Sequence, residues 1–127
     1  MAIKYKVIER GEPGVAGGGT KKFYASANVT GEKSLAGLTR DIEKISTVSG
    51  ADIRAVLYAL VDTMTGALSE GQVVRLGELG SLRVSISSEG KEKEKEVTPA
   101  TIKQARVVFT PGKAIKDMLE TVTYEKM

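Results

Sequence analysis

The sequence predicts an α+β fold with a two-strand N-terminal extension, two helices, a small antiparallel sheet that carries a projecting segment, and a C-terminal helix. Three observations predict it. Apolar and polar residues alternate near the N-terminus and again over residues 81–87 and 105–109, which is the period of strands. Apolar residues recur at helical spacing over residues 35–68 and after residue 113. The chain of 127 residues is long enough for one domain of ordinary size. The change of period at Ser34 divides it into an N-terminal β extension (1–33) and a second domain (34–127).

The extension contains two predicted strands, which begin near Ile3 and Phe23, joined by a glycine-rich connector over residues 11–19. With Thr20 and Lys21, the connector approaches the sequence of a phosphate-binding P-loop. The Thr-Lys order is reversed, however, and a strand follows where that motif requires a helix. A flexible connector is therefore the preferred interpretation, and no cofactor is expected.

Two helices should follow. The pair Ser49 and Asp52 is typical of a helix N-terminus, and Gly71 ends the second helix. This helix carries a wide apolar stripe, formed by Ile53, Val56, Leu57, Leu60, Val61, Met64 and Leu68. Residues 34–71 contain three basic and five acidic side chains. The helices are therefore predicted to form core and interface rather than a DNA-binding surface.

Residues 72–87 predict a hairpin with one solvated face, turning over residues 77–80. The run 89–96 follows, with three Lys and four Glu, and cannot pack into a core. It is either an arm that touches DNA or a solvated loop. Because its cations are matched by acids, it is a poor element for neutralising phosphates, and the solvated loop is the preferred interpretation.

The start of the last helix suggests an anion site. Thr110 is expected to cap the helix and Pro111 to occupy its first position. Lys113 then lies in the first turn, against the preference of the helix dipole, beside a Gly112 that would let a ligand approach free backbone N–H groups. Lys116 would share the face of Lys113. The competing interpretation is a surface lysine without a role, and the residues alone leave both open.

Composition excludes several classes of function. The chain has no Cys and no His, which removes disulfides, thiolate nucleophiles, imidazole ligands and sulfur-bound zinc, and no metal site is expected. The clustered carboxylates lie in the solvated run, so an enzyme is a weak hypothesis. No signal peptide or membrane span is evident, which predicts a soluble, cytoplasmic protein. The net charge of +3 means that any nucleic-acid site must come from local clustering.

Two segments carry a family resemblance. Val74-Arg-Leu-Gly-Glu-Leu-Gly-Ser-Leu-Arg-Val84 resembles the glycine hairpin of the bacterial histone-like HU and integration-host-factor family, and Phe109-Thr-Pro-Gly-Lys-Ala-Ile-Lys116 resembles its Pro-Gly-Lys helix start. Their separation is also similar, over about residues 34–120. The segment Ile-Lys-Tyr-Lys-Val-Ile-Glu-Arg10, with residues 73–89 and the tail Thr123-Tyr-Glu-Lys126, is similar to HU-related proteins of Bacteroides-type bacteria, which extends the resemblance to the whole chain.

The resemblance implies an HU-like intertwined homodimer whose two ribbon arms reach around the minor groove of double-stranded DNA. It implies a non-catalytic, nucleoid-associated, architectural protein that condenses DNA, without a small-molecule substrate or a membrane. Ser81, Lys113 and Lys116 match phosphate-contacting positions of the family. Strand periodicity alone adds Arg83 and Arg106 to the candidate DNA-binding residues.

Two departures weaken the usual bending mechanism. The Arg-Asn-Pro wedge of the family is replaced here by the Lys/Glu run, which contains no proline; Pro99 comes only after it. Positions at the arm base that are basic in the family are Ser85 and Ser87 here. The expectation is salt-sensitive, sequence-tolerant contact with little or no kinking. The alternative is an HU-fold module for protein interaction or structure, with little or no DNA binding, which the near-neutral arm favours.

Overall fold

The computed structural model describes residues 2–127. Its elements are β1 (Ala2–Arg10), β2 (Lys22–Ala27), α1 (Leu35–Ile45), α2 (Gly50–Ser69), β3 (Val74–Arg75), β4 (Gly80–Ser88), β5 (Ile102–Pro111), α3 (Lys113–Thr121) and β6 (Thr123–Lys126). Three helices and two three-stranded sheets confirm the α+β class. The chain forms two compact units, the N-terminal unit (residues 2–33 with Met118–Met127) and the central unit (Ser34–Asp117).

The N-terminal unit is a sheet of order β2-β1-β6. The two predicted strands pair antiparallel, with Tyr5 opposite Ala27. The third strand, β6, pairs parallel with β1, so that Ile3 lies opposite Tyr124. The sequence predicts residues 118–127 as part of the domain 34–127, whereas in the structure they group with the N-terminal unit. The four residues of β6 are too few for their alternation to indicate a strand. The pairing of β6 with β1 brings residues 2–5 beside residues 123–126.

The glycine-rich connector forms a closed turn. The amide of Glu12 donates to the carbonyl of Gly18 at 2.6 Å, and the Glu12 carboxylate forms an ion pair of 2.9 Å with Lys22. Gly11 has no room for a side chain, since a Cβ there would lie 2.8 Å from the Cα of Gly18. The strand β2 follows the connector, where a P-loop would be followed by a helix.

Serine side chains begin both long helices. The Ser34 hydroxyl accepts from the amide of Gly37 at 3.1 Å, and the Ser49 hydroxyl accepts from Asp52 at 3.2 Å, which confirms the predicted start of α2. The apolar stripe of α2 is less buried than a core requires. Among residues 2–127, Ile53 is the one buried apolar side chain, at 5% exposure, whereas Val56 is 65% exposed. The central unit therefore has very little core of its own.

The central unit also contains a sheet of order β3-β4-β5. Gly77 and Gly80 have φ of 61° and 140°, which makes glycine the favoured residue at both ends of the turn between β3 and β4. At Gly80 a Cβ would also collide with the backbone of β5. The predicted hairpin is thus confirmed. Strand β5 pairs antiparallel with β4, from Gly80 opposite Pro111 to Ser88 opposite Ile102, with a register shift after Ser87.

The predicted start of the last helix is wrong by two residues. Strand β5 continues through Pro111, so Thr110 does not cap α3 and Pro111 does not occupy its first turn. The helix begins at Lys113, and its first backbone bond runs from the amide of Lys116 to the carbonyl of Gly112, at 2.9 Å. Pairing of Ser81 with Thr110 holds these residues in the sheet and outweighs their local preference for a helix start.

Residues 89–101, which we call the arm tip, close the β4–β5 ribbon. The amide of Glu89 donates to the carbonyl of Thr101 at 2.9 Å. The buried hydroxyl of Thr101 donates to the carbonyl of Thr98 at 2.8 Å and accepts from its amide. Pro99 opens the short 3₁₀ turn Pro99–Thr101 within this closure. The Lys/Glu run itself is exposed, as predicted.

Candidate nucleic-acid interface

The register of the central sheet collects the polar side chains of three strands on one face. Arg75 lies opposite Ser81, Ser81 opposite Thr110, and Ser85 opposite Arg106. Because directly opposed residues point to the same face of a sheet, the strands share a surface that we call the polar ribbon face. Its polar members are Arg75, Ser81, Arg83, Ser85, Ser87, Gln104, Arg106 and Thr110. The face contains three arginines and no acid.

The other face of the same sheet is apolar where residues 82–86 pair with residues 105–109. It carries Val74, Leu82, Val84, Ile86, Ala105, Val107 and Phe109. Several of these side chains are open to solvent, including Val107 at 56% exposure. The ribbon is therefore two-sided, with cations and hydroxyls on one surface and a hydrophobic surface behind them.

Three of the predicted residues lie on the polar ribbon face. Arg83 and Arg106 are diagonal neighbours, because Arg83 pairs with Val108, two residues beyond Arg106. Both guanidinium groups are exposed, and neither forms an ion pair within residues 2–127. Ser81 is half-buried, and its hydroxyl makes no hydrogen bond among the described residues. These groups are available to an anionic ligand.

Ser81 and Thr110 line an open cavity of about 290 Å³, together with Arg75 and the glycines of the turn. Arg75 was missed by the sequence analysis. Its signal was present, because Arg75 lies between the apolar residues Val74 and Leu76, as Arg83 lies between Leu82 and Val84. The cavity combines one guanidinium with two hydroxyls, a set of donors that suits a phosphate oxygen.

The two lysines of α3 differ in their surroundings. The Lys113 ammonium donates to the Asp117 carboxylate at 2.7 Å, an i,i+4 pair whose side chains are 75% and 57% exposed. Lys116 is exposed and forms no ion pair in the described part of the chain. The acid at position 117 gives Lys113 a local partner, which the sequence analysis overlooked. Exposed pairs of this kind hold weakly, so a phosphate can still compete for Lys113.

Gly112 does not serve the purpose that the sequence analysis gave it. Its amide donates to the carbonyl of Leu79 at 3.0 Å and is not free for a ligand. A Cβ at this position would lie 2.7 Å from the amide nitrogen of Gly80. Glycine is needed here because the start of α3 packs against the hairpin turn. That contact holds Lys113 next to the cavity lined by Ser81.

The arm tip has a different electrostatic character. Its three lysines alternate with glutamates, and Lys91 lies 3.5 Å from the carboxylate of Glu89. Within residues 2–127 there is no cluster of acidic residues that could hold a metal ion, and no helix is long and apolar enough to span a bilayer.

The geometry agrees with comparisons to known proteins. Residues 1–126 match the HU-HIG family, described as an HU domain fused to a wHTH, Ig or glycine-rich motif. The DNA-binding protein HU of Thermotoga maritima is 30% identical over 84 residues, covering 62% of this chain and 93% of that protein.

A crystal structure from Bacteroides vulgatus ATCC 8482, of a protein named "putative bacterial DNA binding protein", superposes with a TM-score of 0.69 at 14% identity. The match covers 99% of this chain and 48% of that one, so the present chain spans about half of its length. At this identity the likeness concerns the fold. Together, the match over residues 1–126, the HU-like helix pair and the glycine hairpin lead to one assignment: the chain belongs to the HU-HIG family and is non-catalytic.

Proposed function

We propose that this chain is a histone-like, architectural protein of the nucleoid that binds double-stranded DNA through the sugar-phosphate backbone, with little dependence on base sequence. The observation that carries the proposal is the polar ribbon face, with three arginines, four hydroxyl side chains and no acid. Arginine and hydroxyl groups are typical phosphate ligands, and such contacts carry no direct sequence information. The DNA-binding protein HU of Thermotoga maritima, to which the chain is similar, is named for DNA binding.

The proposed assembly is a homodimer in which two copies form one DNA-binding saddle. The dimer is supported by hydrophobic side chains of the central unit that are exposed to solvent in the single chain. Val56 and Val61 on α2, and the apolar face of the ribbon behind the arginines, are exposed in the single chain. Contiguous exposed apolar surface marks an interaction site, and a two-fold interface would bury the same patches of both copies.

Lys113 and Lys116 are proposed to extend the saddle from the ribbon to the start of α3. Gly112 packs against the turn at Gly80, which keeps the first residue of α3 close to Ser81. A phosphate held near Ser81 would gain a cation from Lys113 once the weak, exposed pair with Asp117 opens. Binding through such contacts releases counterions and therefore weakens as salt is added.

Bending of the DNA is proposed to be slight. Kinking by minor-groove proteins needs an apolar wedge that enters between base steps. In the arm tip the one proline, Pro99, starts a 3₁₀ turn that the hydroxyl of Thr101 closes, and the preceding run is charged. A circularisation assay with short duplexes should therefore give ring-closure rates within about twofold of those of free DNA.

Fluorescence anisotropy with a labelled random duplex, over 50–300 mM salt, tests the proposal. The parent should bind with a steep negative slope of log affinity against log salt. The double variant Lys113→Glu/Lys116→Glu should bind more weakly, whereas Lys93→Glu/Lys95→Glu, with the same change of charge in the arm tip, should resemble the parent. Two duplexes of unrelated sequence should give affinities within about threefold.

The alternative is an HU-fold protein-interaction module, which the balanced charges of the arm tip favour. Absence of DNA binding at 50 mM salt would support it and reject the DNA-binding function. Equal binding by the parent and by the Lys113/Lys116 variant would remove α3 from the proposed saddle. A monomer by light scattering at micromolar concentration would contradict the dimer.

A further inference from the structure

We propose that the N-terminal unit carries a second surface for the phosphate backbone of duplex DNA, on one face of its three-stranded sheet. The inference rests on the proposed DNA-binding function and adds a surface outside the central unit. Alternation and register assign the charged and aromatic side chains of that face, which we call the basic sheet face: Lys4, Lys6, Arg10, Lys22, Tyr24 and Glu125.

Strand register explains why these residues share a face. Lys4, Lys6 and Arg10 are separated by even numbers of residues along β1, so their side chains point to one side of the sheet. Lys22 lies opposite Arg10. All four cations are exposed. None of this depends on β6, which contributes Glu125 opposite Lys4 at the edge of the face.

One end of the basic sheet face is already organised. The guanidinium carbon of Arg10 lies 5.1 Å from the centroid of the Tyr24 ring, within the range of a cation–π contact. Lys22 is held by Glu12 at 2.9 Å. Stacking leaves the edge of a guanidinium open to hydrogen-bond acceptors, so Arg10 can still donate to a phosphate. Because the ring contact already orders the side chain, binding costs little further side-chain entropy.

The charge of the sheet is asymmetric. The basic sheet face has four cations against the carboxylates of Glu12 and Glu125, and Lys6 has the uncharged Ser26 as its cross-strand neighbour. The opposite face holds one acid, Glu9, and one lysine, Lys126, and is otherwise apolar or aromatic. It forms an open cavity of about 440 Å³ lined by Ile3, Tyr5, Ala25, Ala27 and Tyr124. An extended anion is therefore attracted to one face only.

The spacing of the cations suits a polymer of phosphates better than a single phosphate. Residues two apart on a strand are separated by about 6.8 Å. One strand of duplex DNA carries a charge for every 3.4 Å or so of its axis. Lys4 and Lys6 thus span the axial rise of about two nucleotides of one strand, and Arg10 lies two such intervals beyond Lys6. A compact anion could not span the row from Lys4 to Arg10, which is about 20 Å long.

The test compares two exposed lysines on opposite faces of one sheet in the full chain. Lys6→Gln should reduce the slope of log affinity against log salt by about 1 and weaken binding of a random duplex roughly three- to tenfold at 100 mM salt. Lys126→Gln removes the same charge from the other face and should leave both values unchanged. Circular dichroism on both variants verifies that the sheet remains folded.

Crosslinking gives the position of the DNA directly. The chain has no cysteine, so Ser26→Cys and Ala25→Cys each provide a single attachment point for a photoreactive group, on the basic sheet face and on the opposite face. The probe at position 26 should crosslink to a random duplex and the probe at position 25 should not. Equal crosslinking from both positions overturns the inference.

The outcomes separate this inference from the proposed function. If the parent binds DNA and Arg83→Glu/Arg106→Glu weakens binding while Lys6→Gln does not, the second surface is rejected and the DNA-binding function stands. If the parent does not bind DNA, both are rejected. Binding to phosphatidylserine vesicles that Lys6→Gln abolishes, with an unchanged DNA slope, overturns the inference in favour of a membrane surface.

Discussion

The body of the β4–β5 ribbon and the arm tip contain three basic side chains each but arrange them differently. In the body, Arg83 and Arg106 lie on a face without acids, backed by a hydrophobic face. In the arm tip, lysines alternate with glutamates, and Lys91 is paired with Glu89 at 3.5 Å. A phosphate meets an unopposed cation in the first region and a balanced field in the second. The arrangement of charge, more than the net charge of +3, decides where DNA can bind.

Charge reversal provides the strongest test of that comparison. Arg83→Glu/Arg106→Glu should weaken binding of a random duplex at least about 100-fold at 50 mM salt, because two phosphate contacts are lost and two repulsive charges are gained. The change should also flatten the salt dependence. Lys93→Glu/Lys95→Glu changes the net charge equally, and we expect an affinity within about threefold of the parent.

Anisotropy titrations at several salt concentrations measure both effects. Similar losses from the two double variants would mean that net charge controls binding and that the polar ribbon face has no special role. A larger loss from the arm-tip variant would identify the arm tip as the principal contact and reverse the comparison.

Backbone packing sharpens the same comparison, because the ribbon base is tightly packed and the arm tip is open. Gly80→Ala should destabilise the protein by about 2 kcal/mol, since position 80 has a φ of 140° and a Cβ would collide with β5. Gly90→Ala, in the arm tip, meets nothing within 4 Å, and its effect should stay within about 0.5 kcal/mol. Urea unfolding of the two variants measures the difference.

Equal midpoints for the Gly80 and Gly90 variants would contradict the tight contact between the turn and β5. A destabilised Gly80→Ala variant should also bind DNA less tightly, since the contact between Gly112 and the turn keeps Lys113 near Ser81. If the folded Gly80→Ala variant binds DNA as tightly as the parent, the packing of the turn does not contribute to the binding site.

Local signals in the sequence were sufficient where the structure depends on local interactions. The serine at position 49 and the apolar period of α2 predicted that helix, and the glycine pair predicted the turn before β4. Part of the polar ribbon face could also be predicted from the sequence, because alternation places Arg83 and Arg106 on the polar side of their strands. Arg75 shows the same local alternation, but its position beside Ser81 depends on the pairing of β3 with β4, which the sequence does not indicate.

Long-range pairing explains what could not be predicted. Thr110 and Pro111 have a good sequence for a helix start, but the sheet holds them in β5. The parallel pairing of β6 with β1 joins the two termini, and it completes the sheet that carries the basic sheet face. The role of Gly112 likewise depends on the turn at Glu78 and Gly80, more than thirty residues earlier in the chain. In each case the deciding partner is distant in sequence.

Removing the ion pair of Lys113 with Asp117 has the smallest expected effect. This pair combines features of the ribbon body and of the arm tip. Lys113 belongs to the cationic surface, but its acid partner makes it resemble the arm tip. Asp117→Asn should strengthen DNA binding by about two- to threefold at 50 mM salt, because it removes a competitor for the ammonium and one repulsive charge. The gain should fade by 300 mM salt.

Glu120→Gln provides the control, because it removes an acid of the last turn of α3 that is not paired with Lys113. An equal gain from both variants would assign the effect to net charge, whereas a gain confined to Asp117→Asn would show that Lys113 reaches the DNA once its partner is removed.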